Sequence, residues 1–312
     1  MIFSVTPNPT LDLGGVVDRL VPNEKNYVHD ETRFPGGNAI NAARMIHRLG
    51  GEVTVGGFLG SGVGSEIQSL IEKEGLPHAF TPVSEPARIN ITVSLKEGSQ
   101  QTRLSFAGPL ISNSESRSLS ATLDGLSPQS LVLFGGSLPP GFSTRNISEM
   151  MGSLRKKQSR CIVDIPGPIL KSLLSTPSIP FLIKPNLSEF CELVDKEVKS
   201  CAEVMDAANE LSAKIPYICI SSVEGGALLL HAGKAWFGKA PSVKVRSTVG
   251  AGDSMVGAMA YLIQREKGLP APSDLLRWGL AAACATLTVH GTQLGHADAV
   301  RSFLPQIEIQ ER

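Results

Sequence analysis

Apolar runs alternate with amphipathic stretches along most of this chain, and the alternation predicts its architecture. Nearly uninterrupted apolar runs at Val53–Leu59, Leu131–Phe134, Cys161–Ile165, Phe181–Lys184 and Tyr217–Ser221 read as strands. A strand covered on both faces has no polar side to present. Between them, helical patterns occupy stretches near 38–49, 62–75, 143–157 and 202–213. Strand and helix in turn imply an α/β fold, with a mostly parallel sheet covered by helices on both faces. No repeat or low-complexity linker divides residues 1–312, which read as a single domain. The Ser-rich patch Ser112–Ser120 reads as a loop entering a helix.

Two regions break the rhythm. Residues 11–34 and 87–107 carry short alternating runs, such as Arg88-Ile89-Asn90-Ile91-Thr92-Val93-Ser94-Leu95, without covering helices. Their plain reading is an antiparallel extension of the sheet.

A third pattern carries chemistry. Val243 and Val245 alternate with Lys244 and Arg246, as in a half-buried strand. That strand runs into the turn Ser247-Thr248-Val249-Gly250-Ala251-Gly252-Asp253. A helix then continues from Asp253 to Lys267, where Gly268-Leu269-Pro270 supplies a stop. Gly250 and Gly252 let a ligand approach the backbone. Free N–H groups at a helix start bind anions. Asp253 there either caps the helix or deprotonates a hydroxyl that attacks a phosphate. A helix start favours the ionised form that a base needs.

Composition removes several function classes. The chain has 29 basic and 29 acidic residues and no basic patch, so no nucleic-acid partner is expected. The longest apolar stretch, Trp278–Val289, is too short to span a bilayer, and the first residues read as a strand rather than a leader, so no membrane partner is expected. The cysteines at 161, 191, 201, 219 and 284 form no Cys-x-x-Cys, and the six His are dispersed. Neither a disulfide framework nor a zinc site is suggested. A soluble, reduced, cytoplasmic protein is the expectation.

Two motifs carry a family resemblance. Ser247–Met255 resembles the Gly-Ala-Gly-Asp signature of the PfkB (ribokinase-like) carbohydrate kinases. Pro35-Gly36-Gly37-Asn38-Ala39-Ile40-Asn41-Ala42-Ala43-Arg44 resembles that family's sugar-binding signature. The likeness runs over nearly the whole chain. It implies a three-layer α/β/α fold in which the two irregular regions form a small β-sheet lid over the sugar, often also a dimer clasp. A homodimer through that lid is therefore expected.

The resemblance also implies roles. Asp253 would be the general base, with the Gly250, Ala251 and Gly252 backbone facing the transferred phosphoryl group. Asp12, Gly36, Gly37, Asn41 and Ser137 would hold the sugar, and Lys25, Arg88 and Arg103 in the lid would hold a phosphate it already carries. Lys184, Asn186, Ser221, Gly226, Ser247 and Thr248 would contact ATP, and Glu189 would act on Mg²⁺ through water. Asn186 and Glu189 also read as a plain capping box. A monovalent cation such as K⁺ near Ser247 and Val249 stays open, and the adenine pocket is placed near 283–291. The local text looks most like 1-phosphofructokinases, then minor-type 6-phosphofructokinases and tagatose-6-phosphate kinases. Asn38 and Ala39 depart from the pattern where the family often has Lys and Gly, and Val223 replaces a Gly of the nucleotide loop.

Two other readings have less support. Gly60-Ser61-Gly62-Val63-Gly64 lacks the spacing of a dinucleotide fingerprint, and no Walker-type Gly-x-x-x-x-Gly-Lys motif occurs. A sugar-phosphate sensor on the same fold would not need Asp253.

Overall fold

The computed structural model describes residues 1–96, 100–266, 269–291 and 293–312. The expected helix end at Lys267, Gly268 of its stop signal and 97–99 of the second irregular region lie outside these.

In chain order, β1 (Ile2–Thr6) leads into β2 (Thr10–Val17) and β3 (His29–Gly36). The alternation then begins: α1 (Asn38–Arg48), β4 (Val53–Gly60), α2 (Val63–Lys73) and β5 (His78–Val83). β6 (Arg88–Leu95) and β7 (Gln101–Ser105) interrupt it. It resumes with α3 (Asn113–Asp124), β8 (Leu131–Gly135), α4 (Thr144–Lys156), β9 (Arg160–Asp164), α5 (Gly167–Leu174) and β10 (Leu182–Ile183). α6 (Leu187–Val194), α7 (Cys201–Ala207) and α8 (Asn209–Ser212) precede the hairpin strands β11 (Tyr217–Val223), β12 (Gly226–His231) and β13 (Lys234–Lys239). α9 (Ala251–Arg265), α10 (Pro272–Leu287), α11 (Ala297–Phe303) and β14 (Glu308–Glu311) complete the described chain.

The main sheet has ten strands in the order β14-β13-β12-β11-β10-β9-β8-β1-β4-β5. β11 to β5 run parallel, and β12, β13 and β14 extend one edge antiparallel. Side chains leave the central strands alternately to two cores. Leu131, Leu133 and Ile162 join the core under α1, α2, α9 and α10. Val132, Phe134, Cys161 and Val163 join the core under α3, α4, α5 and α6. Burial on both sides is why these strands read as unbroken apolar runs.

The irregular regions form a separate four-stranded sheet, ordered β3-β2-β6-β7. They do not extend the main sheet, and β2 pairs with β6 in parallel rather than antiparallel. β1 leads into β2 through Pro7-Asn8-Pro9, which breaks the ladder and lets the chain leave the main sheet.

Local expectations are corrected in three places. Residues 243–246 form no strand. Val245 is exposed, and Arg246 N–H instead donates to Leu287 O at 2.8 Å. The stretch 202–213 divides into α7 and α8, and Phe181–Lys184 contributes only two strand residues. Among the described residues no helix is long and apolar enough to cross a membrane.

Candidate active site

Parallel strands end on one side of a sheet, so residues just beyond their carboxyl ends converge. This edge collects Asn8 after β1, Ser137 after β8, Asp164 closing β9 and Lys184 after β10. α9 enters the same edge. Gly250 caps it with φ 77°, a left-handed conformation that favours glycine, and directs the first turn at Lys184. A Cβ on Gly252 would lie 3.1 Å from Lys184 Nζ.

Asp253 sits third in α9 and does not cap it, so the plain capping reading is set aside. Its Oδ2 accepts a hydrogen bond from Asn41 Nδ2 at 2.8 Å. Burial, then the Asp164 charge, overrides the helix start and pushes the Asp253 carboxyl up to about 7. The Asn41 hydrogen bond and Lys184 pull it back down. This corrects the expectation of a group favoured in its ionised form. A base whose pKa lies near neutrality combines availability with driving force.

Lys184 is almost fully buried and pairs with Asp164 at 3.3 Å. Burial lowers its pKa, but Asp164 and Asp253 outweigh burial, so the ammonium is held charged. Asn186 and Glu189 make the capping box expected of them. Glu189 N–H donates to Asn186 Oδ1 at 2.9 Å, and Asn186 N–H donates to Glu189 Oε2 at 2.8 Å. Burial raises the Glu189 carboxyl.

The second half of the site lies under the small sheet. Asp12 on β2 accepts from Asn90 Nδ2 at 3.2 Å, and burial raises its carboxyl against the pull of Asn90 and of the Arg88 and Arg103 charges. Gly36 closes against it, since a Cβ there would collide with the Asp12 carboxylate. Gly37 caps α1, whose Ile40 N–H donates to Thr6 Oγ1 at 2.8 Å. Arg88 donates to the carbonyls of Asn8 and Phe106, both at 3.2 Å, and Asn8 Nδ2 donates to Ser137 Oγ at 3.2 Å.

Asn8 Oδ1, Arg88 Nε and Asn90 Oδ1 are buried without a hydrogen-bond partner. These are three of the five such atoms among the described residues, and all three belong to this neighbourhood. Burying a polar atom unpaired costs free energy that a ligand would return.

Some expected residues are not gathered here. Lys25 lies in the exposed loop between β2 and β3, and Arg103 on the exposed β7 reaches Asp12 only through its charge. Ser247 Oγ accepts its own Val249 N–H at 3.2 Å, and Thr248 is exposed. Ser221 bridges Asn186, and the turn to Gly226 passes through left-handed Ser222, Glu224 and Gly225. Val223, the departure from the family's glycine, is fully buried inside that turn.

Asp164, Asn8 and Asn90 were not anticipated. Each is a single polar residue: Asp164 closes β9, Asn90 lies within β6 and Asn8 sits in the link between β1 and β2. The available signal was the carboxyl-end placement of Asp164 and the prolines flanking Asn8.

The model of the pfkB family carbohydrate kinases matches residues 8–299. The chain belongs to this family. It is 32% identical over 305 residues to the ATP-dependent 6-phosphofructokinase isozyme 2 of Escherichia coli K12, covering 97% of each chain. It is also 32% identical over 314 residues to the 1-phosphofructokinase of that organism, covering 99% of this chain and 98% of the relative. The crystal structure of phosphofructokinase-2 from Escherichia coli in complex with potassium superimposes with a TM-score of 0.91 at 30% identity, covering 97% of this chain and 98% of that one. The fold is thus the ribokinase-like one, and the protein is a carbohydrate kinase, a phosphotransferase with an alcohol acceptor.

Proposed function

We propose that this kinase transfers the γ-phosphate of ATP to a hydroxyl of a ketohexose monophosphate, with fructose 1-phosphate as the acceptor and Asp253 as the general base. The supporting observation is the juxtaposition of Asp253 with three unpartnered buried polar atoms around Asp12. Asp12 is close enough for its charge to raise Asp253. A sugar held by Asp12, Gly36, Gly37, Asn41 and Ser137 would thus present a hydroxyl to the base. Relatives named for 6-phosphofructokinase and 1-phosphofructokinase activity are both 32% identical to this chain, so fructose 6-phosphate is the second acceptor, and tagatose 6-phosphate stands behind it.

Each residue has a physical task. Asp253 takes the hydroxyl proton as the oxygen attacks. The N–H groups of Ala251, Gly252 and Asp253 face the charge that develops on the phosphoryl oxygens. Lys184, held charged by Asp164 and Asp253, is assigned to the nucleotide phosphates, and Asn186, Ser221, Gly226, Ser247 and Thr248 to ATP. The donors near the phosphates fit Mg²⁺. Asp164 and the Glu189 Oε1 outside the capping box offer hard oxygens. Among the described residues no three acidic, His or Cys side chains form a protein cage. That suits an ion held largely by water and phosphate, which when bound neutralises phosphate charge. A K⁺ near Ser247 and Val249 is consistent with the potassium in the Escherichia coli relative.

Arg88 tests the acceptor phosphate. Its Nε has no protein partner, and guanidinium is shaped for phosphate. Arg88→Ala should raise KM for the sugar phosphate by about 10–100-fold and leave KM for ATP unchanged, since a charge-assisted contact is worth ~1.5–3 kcal/mol. An unchanged KM for the sugar phosphate would remove Arg88 from the site. Arg103 and Lys25 are assigned to the same phosphate on the weaker ground of their charge.

The lid is also assigned as a homodimer contact. Tyr27, Val28, Leu104 and Phe106 on or beside it are exposed large apolar residues, and such a patch calls for cover. Light scattering at micromolar concentration should give a dimer's mass, and a monomer's mass would count against this contact. Five free thiols accord with a cytoplasmic site of action.

A further inference from the structure

We propose that Arg44 is a positioning residue that locks the Asn41 amide with its nitrogen toward Asp253. This rests on Asp253 being the base. Arg44 follows Asn41 by one turn of α1 and is only 1% exposed. A buried guanidinium is costly unless paired, and here Glu74, the residue that caps the end of α2, supplies the pair. Glu74 accepts from Arg44 Nε at 2.9 and 3.0 Å and from Nη2 at 2.6 Å. The Phe34 ring of β3 lies 5.9 Å from the guanidinium carbon. Arg48, the next turn along, shares Glu74 at 3.9 Å and donates to the carbonyls of Leu294 and Gly295.

These contacts leave Arg44 Nη1 facing Asn41 Oδ1 at 3.4 Å. The distance is long for a hydrogen bond, but the selection does not depend on its strength. A guanidinium has only donors. It accepts the amide oxygen as a neighbour and disfavours the amide NH₂. With the oxygen turned to Arg44, Nδ2 must point the other way, to Asp253 Oδ2 at 2.8 Å. Reversed, the amide would set an oxygen against a carboxylate and a donor against a donor, both in a buried place.

The charged and titratable groups acting on Asp253 are Asp164 on β9, Asp12 on β2 and Lys184 after β10. The Asn41 hydrogen bond from α1 is the one influence that depends on Arg44. Losing it removes a stabiliser of the ionised base and moves the acid limb of the pH profile upward.

The test is the pH dependence of kcat/KM for wild type, Arg44→Met, Arg44→Lys, Asn41→Ala and Arg44→Met/Asn41→Ala. Arg44→Met should raise the acid limb by about one pH unit and lower kcat/KM about tenfold below it, the scale set by losing a hydrogen bond to an ionised group. Arg44→Lys keeps a donor-only cation and should restore most of the wild-type limb. Arg44→Met should add nothing to the shift of Asn41→Ala. Arg44→Met/Glu74→Gln removes both partners of the Arg44 pair, leaves Arg48 its bonds to the Leu294 and Gly295 carbonyls, and should show the same shift if Arg44→Met alone does not fold. An unmoved limb in either folded Met variant, or additive shifts with Asn41→Ala, would overturn the assignment. Near-normal turnover of Asp253→Asn would instead overturn the base itself, which separates the two failures.

Discussion

Asp253→Asn should lower kcat by about 10²–10⁴-fold, the usual contribution of a positioned general base, with binding of ATP and of the sugar phosphate kept within a few-fold. The substitution preserves shape and removes only the proton acceptor. Wild-type kcat/KM should rise with pH through about 7 and then level, because the deprotonated carboxylate is the active form. The variant's residual rate should lose that limb. Misfolding does not explain such a loss, and the sign of the linkage says why. The folded carboxyl binds its proton more tightly than an unfolded Asp does. Between the ordinary carboxylate range and about 7 the folded state therefore holds the extra proton, and stability falls as pH rises through that window. Asparagine removes this cost, so the variant's Tm at pH 8 should be no lower than that of wild type. A residual kcat within a few-fold of wild type would remove Asp253 from the chemistry.

Lys184→Met should cost both stability and turnover. Lys184 is 5% exposed and its Nζ lies 3.3 Å from Asp164. Removing one partner of a buried pair leaves the other charge unpaired and costs roughly 3–5 kcal/mol. The stranded charges are carboxylates, so protonation relieves them. The loss measured by denaturant should be greater at pH 8 than at pH 5, because Asp253, raised by burial and now without the Lys184 charge, takes up a proton as pH falls. Turnover should drop as well, since the cation facing the nucleotide phosphates is gone. Equal losses at both pH values would mean that packing, not charge, explains the Lys184 position.

Much of the fold was legible because the central strands are buried on both faces. Leu131–Phe134 and Cys161–Ile165 show this as unbroken apolar text. The antiparallel edge, β12 to β14, was not anticipated. Val243–Arg246 misled in the opposite way: its alternation has strand period, but the segment pairs with no strand, and Val245 faces outward. Whether the two irregular regions form a separate sheet could not be read from alternation, which is the same in either arrangement. The resemblance implied a separate sheet, and β3-β2-β6-β7 forms one.

The site divides along similar lines. Gly250–Asp253 and Gly36–Asn41 are contiguous, so a motif could expose them. The partners that set their chemistry are single residues from distant elements. Burial and Asp164 raise Asp253, and Asn8 ties Arg88 to Ser137, each pairing made across a long stretch of sequence. Such pairs become visible only when parallel strands bring their ends together. The ionisation of Asp253 shows the consequence. The helix start alone argued for a lowered pKa, while burial, and then the Asp164 charge, decide for a raised one.

The most direct measurement is ATP consumption by the purified protein with fructose 1-phosphate, fructose 6-phosphate, tagatose 6-phosphate and free fructose, compared by kcat/KM. The account predicts turnover with fructose 1-phosphate leading and free fructose at least about 100-fold behind, because the contacts to the existing phosphate are lost. Free fructose matching or exceeding the phosphorylated sugars, or no turnover on any of the four, would contradict it.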